Sequence, residues 1–590
     1  MKLIFDNQFI EKVKHLIGKH KKLEDLNQFL ELQTGIKNFF YNYNDLNDFK
    51  KFLNVYTYRN KNRRADLGDF QTPLDLTDKI CEYFIKIGVY PEVILEPTCG
   101  GGNFIISAIK CFPSLKYIYC VEIQPFYEWL FKLNILKLSF EKNIDLKIEF
   151  YRDNIFTHRF SGRFLNLLKK KNCSFLIIGN PPWITNTELS LLNSKNLPIK
   201  SNIKKVKGLE ALTGSANFDI AESIILKIIQ TFNFTRGTLG MLCKATVMKN
   251  IVRDIDNLNL KLSNLHCLNI NSKKEFSIAT DSGLFFANLG KVSEKYCITS
   301  SLYEPEKVIR KFGWFNKKFV SNIDIYKNYK DLDGESPLEW RQGVKHDAID
   351  IFILTEENEG FYSNGLGNLV DIEDDLLYPF VKGSDLREYV IRDTKLKVVI
   401  TQKFLNQNTN YISKQYPKTW KYLTLHSDKL DARKSKIYRN SKNKFSIFGI
   451  GDYSFKPFKI AIAGFYKKAI FALLFPVNGK PIIVDDTCYQ IGFENFRDAI
   501  LTWILLNLND VKDFLSSIIF IENKRPYTKK VLMRIGLLKL LDRISFIELK
   551  DFYDKNLRFY CEYRLNEKEY EKYKHKFNKN LINTHIDSFF

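Results

Sequence analysis

The most specific chemistry in the chain lies in four consecutive residues, Asn180-Pro181-Pro182-Trp183, directly after the apolar run Phe175 to Gly179. Two prolines remove two backbone donors and lock φ, so the loop is stiff and its carbonyls remain acceptors. The amide oxygen of Asn180 and the carbonyl of Pro181 can then accept both hydrogens of one exocyclic amino group. An aromatic amine held in this way has its nitrogen lone pair drawn out of conjugation and made nucleophilic. Trp183 adds a flat face on which a base could stack.

Three further signals precede it. Leu95-Glu96-Pro97-Thr98-Cys99-Gly100-Gly101-Gly102-Asn103-Phe104 follows a strand-like run and opens a helix-like one. Its glycines let the backbone turn tightly and come close to a ligand. It is neither the GxxxxGK[ST] phosphate loop nor the GxGxxG dinucleotide turn. A strand-end acid before glycines suits a cationic ligand with an amino group better than a pyrophosphate. Glu122 ends the run Tyr119-Cys120-Val121, a point of a βαβ unit where a carboxylate can accept both hydroxyls of a ribose. Asp153, in Tyr151-Arg152-Asp153-Asn154-Ile155, ends the next run and could accept from an adenine amine. Any one of these alone would be an ordinary solvated acid or an ordinary turn. In order, on successive strands, they describe an adenosine pocket beside the stiff loop.

These motifs together resemble the S-adenosylmethionine-dependent amino-methyltransferases of DNA, specifically the TaqI-like N6-adenine family with the gamma order of motifs. Gly68-Asp69-Phe70-Gln71-Thr72-Pro73 is similar to that family's first cofactor motif, which implies that Thr72 contacts the methionine end. Glu96, Pro97, Cys99, Gly100 and Gly102 match its Gly-rich motif, with one more glycine in a variable slot. Glu122 and Asp153 match its ribose and adenine acids, and Asn180 to Trp183 its catalytic tetrapeptide, Asn180 adjoining the cofactor as well. By the same resemblance Phe218, in Asn217-Phe218-Asp219-Ile220-Ala221, lines the cofactor adenine, and Phe276 is a second aromatic against the target base.

The resemblance implies S-adenosylmethionine as cofactor, double-stranded DNA as substrate and N6 of a flipped-out adenine as acceptor. It also implies a restriction-modification setting, with a separate cognate restriction endonuclease as an open partner. Methyl transfer to an amine requires no metal and no histidine base. Related loops also methylate cytosine N4, RNA amines and protein glutamines, and a nuclease fused on the same chain is a further alternative.

The elements that must position these residues follow from periodicity. Residues 67 to 292 alternate short apolar strands with helical stretches such as Phe126 to Leu138 and Ile220 to Ile229. That alternation predicts an α/β fold, a doubly wound, mostly parallel sheet with its ligands at the carboxyl ends of the strands. Residues 1 to 66 read as a helical segment ending in the basic run Arg59 to Arg64, too short to leave much room for a nuclease. Residues 293 to 545 lose the alternation and are expected to form a mixed α+β target-recognition domain, and 546 to 590 a helical close. The polar, Lys-rich stretch 190 to 216 reads as a flap over DNA.

In the third segment Trp340-Arg341-Gln342-Gly343-Val344-Lys345-His346-Asp347 resembles the entry to the family's specificity domain. Arg433-Lys434-Ser435-Lys436-Ile437-Tyr438, the run Phe448 to Phe455, and Lys459 follow it. Basic residues among aromatics suit phosphate clamping, so Arg341, Lys345, Arg433, Lys434, Lys436 and Lys459 are the expected DNA contacts. His346 reads as structural.

Composition sets the outer bounds. The 590 residues carry a net charge of +23, which favours a polyanionic partner. AT-rich coding would enrich Lys, Asn, Ile and Tyr in any case, so charge alone does not decide. An apolar content of 45%, with 28 Gly and 16 Pro, excludes a largely disordered chain. No apolar run reaches the roughly 18 residues of a membrane span, and the start lacks a secretory profile, so a cytoplasmic protein is expected. Ten scattered cysteines without a CxxC predict reduced, mostly buried thiols rather than a zinc or disulfide framework.

Overall fold

The computed structural model describes residues 5–56, 71–170, 173–184, 219–291, 294–358, 360–439, 441 and 443–586. Two units divide the chain, residues 1–319 and 320–590.

The first unit is built on a ten-stranded sheet. Its strands are β1 Val93–Glu96, β2 Tyr117–Glu122, β3 Lys147–Arg152, β4 Phe175–Gly179, β5 Thr238–Lys244, β6 Leu262–Ile270, β7 Ser282–Leu289, β8 Tyr296–Ser301, β9 Arg310–Phe315 and β10 Lys318–Val320. The spatial order is β10-β9-β8-β6-β7-β5-β4-β1-β2-β3. From β3 to β5 all pairings are parallel, whereas β7 runs antiparallel to both β5 and β6. Strands β1, β2 and β4 are buried throughout, as their unbroken apolar runs require.

The chain steps from β1 outward to β2 and β3, then returns to place β4 on the other side of β1. With right-handed crossovers the connecting helices fall on opposite faces, and the order reverses between β1 and β4. A crevice opens at the carboxyl ends of strands at such a reversal.

Two boundaries differ from the sequence expectation. The first unit does not stop at 292, because β8 pairs in parallel with β6 and β9 then pairs with β8. Nor is the N-terminal segment separate. Its helices α1 Asn7–Gly18, α2 Leu23–Thr34 and α3 Tyr43–Tyr56 belong to the same unit, and Ile36 bridges Ile148 of β3 in parallel. Arg152 lies 3.3 Å from Glu128 and 3.8 Å from Asp45, and the buried Lys132 lies 2.7 Å from Glu128. These charges, buried except for Arg152, tie the first helices to the sheet edge. Helix propensity shows a helix but not what it packs on.

The second unit is mixed α+β. It holds β11 Arg341–Gln342, β12 Ile353–Asn358, β13 Phe361–Asn364, β14 Leu369–Val370, β15 Leu377–Val381, β16 Val390–Ile391, β17 Leu396–Val399, β18 Phe458–Ala463, β19 Ala472–Leu474, β20 Ile483–Val484 and β21 Cys488–Phe493. They form a five-stranded sheet, β11-β21-β18-β19-β16, and a six-stranded one, β14-β13-β12-β17-β15-β20. Its C-terminal helices include Phe496–Asn507, whose Trp503 donates to Phe471 O over 2.8 Å.

None of the ten cysteines is in a disulfide, and eight of them are buried. Among the described residues no helix is long and apolar enough to cross a membrane.

Candidate active site

The crevice at the β1/β4 reversal spans about 1060 Å³, part of it open to solvent. Thr72, Glu96, Pro97, Cys99, Gly100, Glu122, Asp153 and the whole tetrapeptide Asn180 to Trp183 line it. Most of these stand at or just beyond the ends of four neighbouring parallel strands, so register alone brings the predicted residues together.

Glu122 is held at both carboxylate oxygens. The Gly100 N–H donates to Oε2 over 2.9 Å and the Gln124 N–H to Oε1 over 2.8 Å. Gly100 has φ +50°, and a Cβ there would lie 2.8 Å from the carboxamide of Gln71, so the turn admits only glycine without movement. Gly102, the N-cap of the helix Asn103–Cys111, has φ +82°, and its added Cβ would meet the Phe131 ring at 2.4 Å. Gly102 therefore serves close packing behind the turn and does not itself line the crevice.

Glu96 is 2% exposed, and its Oε2 has no hydrogen-bond partner among the described residues. Burial first, then the neighbouring Cys120 and Glu122, pushes its carboxyl well above the usual carboxylate range. Burial likewise raises the Cys99 thiol, which leaves it inert.

Asp153 is set by a directional chain. The Asn154 N–H donates to Oδ1 over 2.7 Å, and His158 Nδ1 lies 2.8 Å from Oδ2. His158 Nε2 lies 2.8 Å from the Tyr119 hydroxyl, which accepts from the Ser161 N–H at 3.3 Å. One assignment satisfies every link: Ser161 N–H to Tyr119, Tyr119 O–H to Nε2, and Nδ1–H to Asp153.

Asn180 Nδ2 donates to Thr72 Oγ1 over 3.2 Å, and Asn103 Nδ2 donates to Thr72 O over 2.7 Å. The Thr72 segment is thus clamped between the Gly-rich turn and the tetrapeptide.

The flat face of Trp183 is largely covered in the structure. Its indole is 5% exposed and meets Phe276 edge to face, centroids 5.2 Å apart at 68°. The sequence-predicted pair of aromatics is therefore brought together, but as a closed contact. Phe218, Gly68, Asp69, Phe70 and the 190–216 stretch lie outside the described residues, as does the Lys436 side chain.

The expected DNA contacts all fall in the second unit, and two of them are corrected. Lys459 is fully buried and donates to Lys456 O at 2.9 Å and Ile482 O at 2.7 Å. Arg433, 7% exposed, donates to Leu430 O, His346 O and Ser446 O at 2.7, 3.1 and 2.8 Å. Both hold loops together and present no cation to a phosphate. Lys434 and Arg341 are exposed, Arg341 paired with Glu339 and lying 5.5 Å over the Tyr453 ring. Lys345 pairs with Asp347 at 2.9 Å.

The sequence reading missed Gln71, Asn103, His158, Asp219 and Lys244. Gln71, Asn103 and Asp219 stand inside the motifs given above, and Lys244 is the last residue of β5, so motif membership and strand-end position were the available signals.

Fold and site together define a parallel-sheet crevice large enough for a nucleoside, with a Pro-rigid acceptor loop among its walls. No family model matches the chain. The type II methyltransferase M.NspV of Nostoc sp. (strain ATCC 29411 / PCC 7524) is 38% identical over 476 residues, covering 80% of this chain and 97% of that one. The type II methyltransferase M.CvrRI of Paramecium bursaria Chlorella virus XZ-6E is 32% identical over 127 residues, 21% of this chain and 27% of that one. A solved type I restriction-modification methyltransferase subunit from Streptococcus thermophilus aligns at TM-score 0.29 and 11% identity over 49% of this chain and 67% of that one. The chain belongs to the type II methyltransferase family.

Proposed function

We infer that this methyltransferase acts in the cytoplasm on duplex DNA, moving a methyl group from S-adenosylmethionine to N6 of a flipped-out adenine as the modification half of a restriction-modification system. The observation that carries the reading is the convergence of Glu96, Glu122, Asp153 and Asn180, from the ends of β1 to β4, on one crevice.

The residues present fit that cofactor. A buried carboxyl with an oxygen unpartnered among the described residues suits a cationic amino group, and Glu96 is such a carboxyl. Glu122, oriented at both oxygens by the Gly100 and Gln124 N–H groups, suits ribose hydroxyls as a carboxylate acceptor. Asp153 suits an adenine amine, and Thr72 the methionine end. When bound, S-adenosylmethionine supplies a methyl on a sulfonium, already activated for transfer.

The chain's own task is placement. An adenine inside a duplex is out of reach, and extruding it costs roughly a few kcal/mol. Trp183 and Phe276 offset that by stacking, about 1–3 kcal/mol per base, once their closed contact opens to admit the ring. Asn180 Oδ1 and the Pro181 carbonyl accept the two N6 hydrogens and steer the lone pair outward. The exposed basic residues of the second unit, Lys434 and Arg341 among them, supply phosphate contacts.

The test is transfer of tritium from labelled S-adenosylmethionine into unmethylated phage DNA, with the product nucleosides identified by mass spectrometry. N6-methyladenine is expected. Label appearing as N4-methylcytosine, or only in RNA or protein, would overturn the reading.

A further inference from the structure

Pro181 and Pro182 cannot be pinned through backbone N–H groups, so the tetrapeptide needs donors from elsewhere to hold its shape. Strand β5 provides one. Gly179 of β4 pairs with Met241 of β5 in parallel, which brings Lys244 level with the tetrapeptide as both strands end. Lys244 Nζ donates to the backbone carbonyl of Trp183 over 3.1 Å and lies 2.7 Å from Asp219 Oδ2. Both side chains are largely shielded, at 21% and 10% exposure.

Asp219 is fixed in turn. Its Oδ1 accepts from the Ala221 N–H at 3.0 Å, capping the helix Ile220–Thr231. Beside it, the Ile220 N–H donates to Ile184 O over 2.9 Å. Among the described residues the chain leaving the tetrapeptide and the chain entering that helix are thus joined at two points, and Lys244 is a link that reaches Trp183.

We propose that Lys244 is a positioning residue for methyl transfer: by bridging Asp219 and the Trp183 carbonyl it sets the backbone that aims the Asn180–Trp183 loop. This rests on the methyl-transfer reading above. The energetics favour a bridge over a solvated lysine. Burial raises the Asp219 carboxyl despite Lys244, so removing the ammonium leaves a poorly solvated carboxylate and an unmatched carbonyl together.

The experiment compares full-length wild type, Lys244→Met, Lys244→Arg and Asp219→Asn, using tritiated S-adenosylmethionine and unmethylated phage DNA. It measures kcat, KM for DNA and, by calorimetry, Kd for S-adenosylmethionine. Lys244→Met should lose about 10- to 100-fold in kcat while KM and Kd stay within about twofold, the pattern of a misaimed rather than an unbound reactant. Lys244→Arg should recover part of the loss. Asp219→Asn, which keeps the cap but not the charge, should fall between.

Wild-type kcat in Lys244→Met overturns the role. So does unchanged kcat with a raised KM and a flattened salt dependence, which would make Lys244 a DNA-binding cation. If the methionine variant does not fold, wild-type kcat in both Lys244→Arg and Asp219→Asn overturns it equally. Absence of transfer by the wild type would sink the methyl-transfer reading and this role together, whereas equal transfer by wild type and Lys244→Met sinks the role alone.

Discussion

Asn180 Nδ2 donates to the hydroxyl of Thr72 across 3.2 Å, joining positions 108 apart in the chain. The bond engages one hydrogen of the amide nitrogen and fixes which end of the amide faces Thr72. An acceptor aimed before the substrate arrives needs no reorganisation during the reaction. Asn180→Ala is therefore expected to lower methyl transfer by about 10²–10³-fold, the scale of losing one preorganised hydrogen-bonding group. Calorimetry should show S-adenosylmethionine affinity largely intact. Transfer into DNA at the wild-type rate would remove Asn180 from the mechanism.

The chain Ser161–Tyr119–His158–Asp153 predicts coupled effects on the cofactor. Losing the acceptor in Asp153→Ala should weaken S-adenosylmethionine by about tenfold, the equivalent of roughly 1.4 kcal/mol. His158→Ala should weaken it less, because Asn154 still holds one oxygen. Since His158 acts through Asp153, the double variant should bind no worse than Asp153→Ala alone. Additive losses would show that His158 contributes by another route.

Glu96 gives a pH-dependent test. Its folded carboxyl is held above the usual range by burial, whereas in the unfolded chain it ionises normally. Above the ordinary carboxylate pKa the folded state therefore keeps a proton that the unfolded state has released, and stability falls as pH rises toward the raised value. Glu96→Gln removes that penalty. The ligand-free variant should melt higher than wild type at pH 7 to 8, with the difference vanishing near pH 4. The same substitution should weaken S-adenosylmethionine by roughly 10- to 100-fold, as expected for a lost charge-assisted bond. Melting curves that stay parallel across pH would place Glu96 in a solvated setting.

What the sequence made legible was order along the chain. Glu96, Glu122, Asp153 and Asn180 each stand at the end of a strand-like run, and a parallel sheet turns four such ends into one site. The extra strands β8 and β9 were not legible, because an added edge strand reads like any short apolar segment until its partner is known. The covering of Trp183 was not legible either, since residue type reports what a ring can do and not what covers it. Lys244 was passed over for the same reason that Lys459 was overvalued. A lysine's sequence neighbourhood does not say whether its ammonium meets water, a carboxylate or a backbone carbonyl.

Arg433 and Lys434 turn that last point into a measurement, since adjacent residues of like charge have opposite surroundings. Lys434 is exposed, and Lys434→Ala should weaken DNA binding across sequences while reducing the slope of log affinity against log salt by about 0.9, the value for one phosphate no longer neutralised. Arg433→Ala should leave three carbonyls without their donor, at Leu430, His346 and Ser446. Unsatisfied buried acceptors cost about 1–3 kcal/mol each at most, so the second unit should be destabilised by several kcal/mol in denaturant unfolding. Its salt slope for DNA should match wild type wherever the protein remains folded. If Arg433→Ala were instead as stable as wild type and its salt slope were shallower by the same amount as that of Lys434→Ala, the guanidinium would have to leave its three carbonyls for a phosphate when DNA binds.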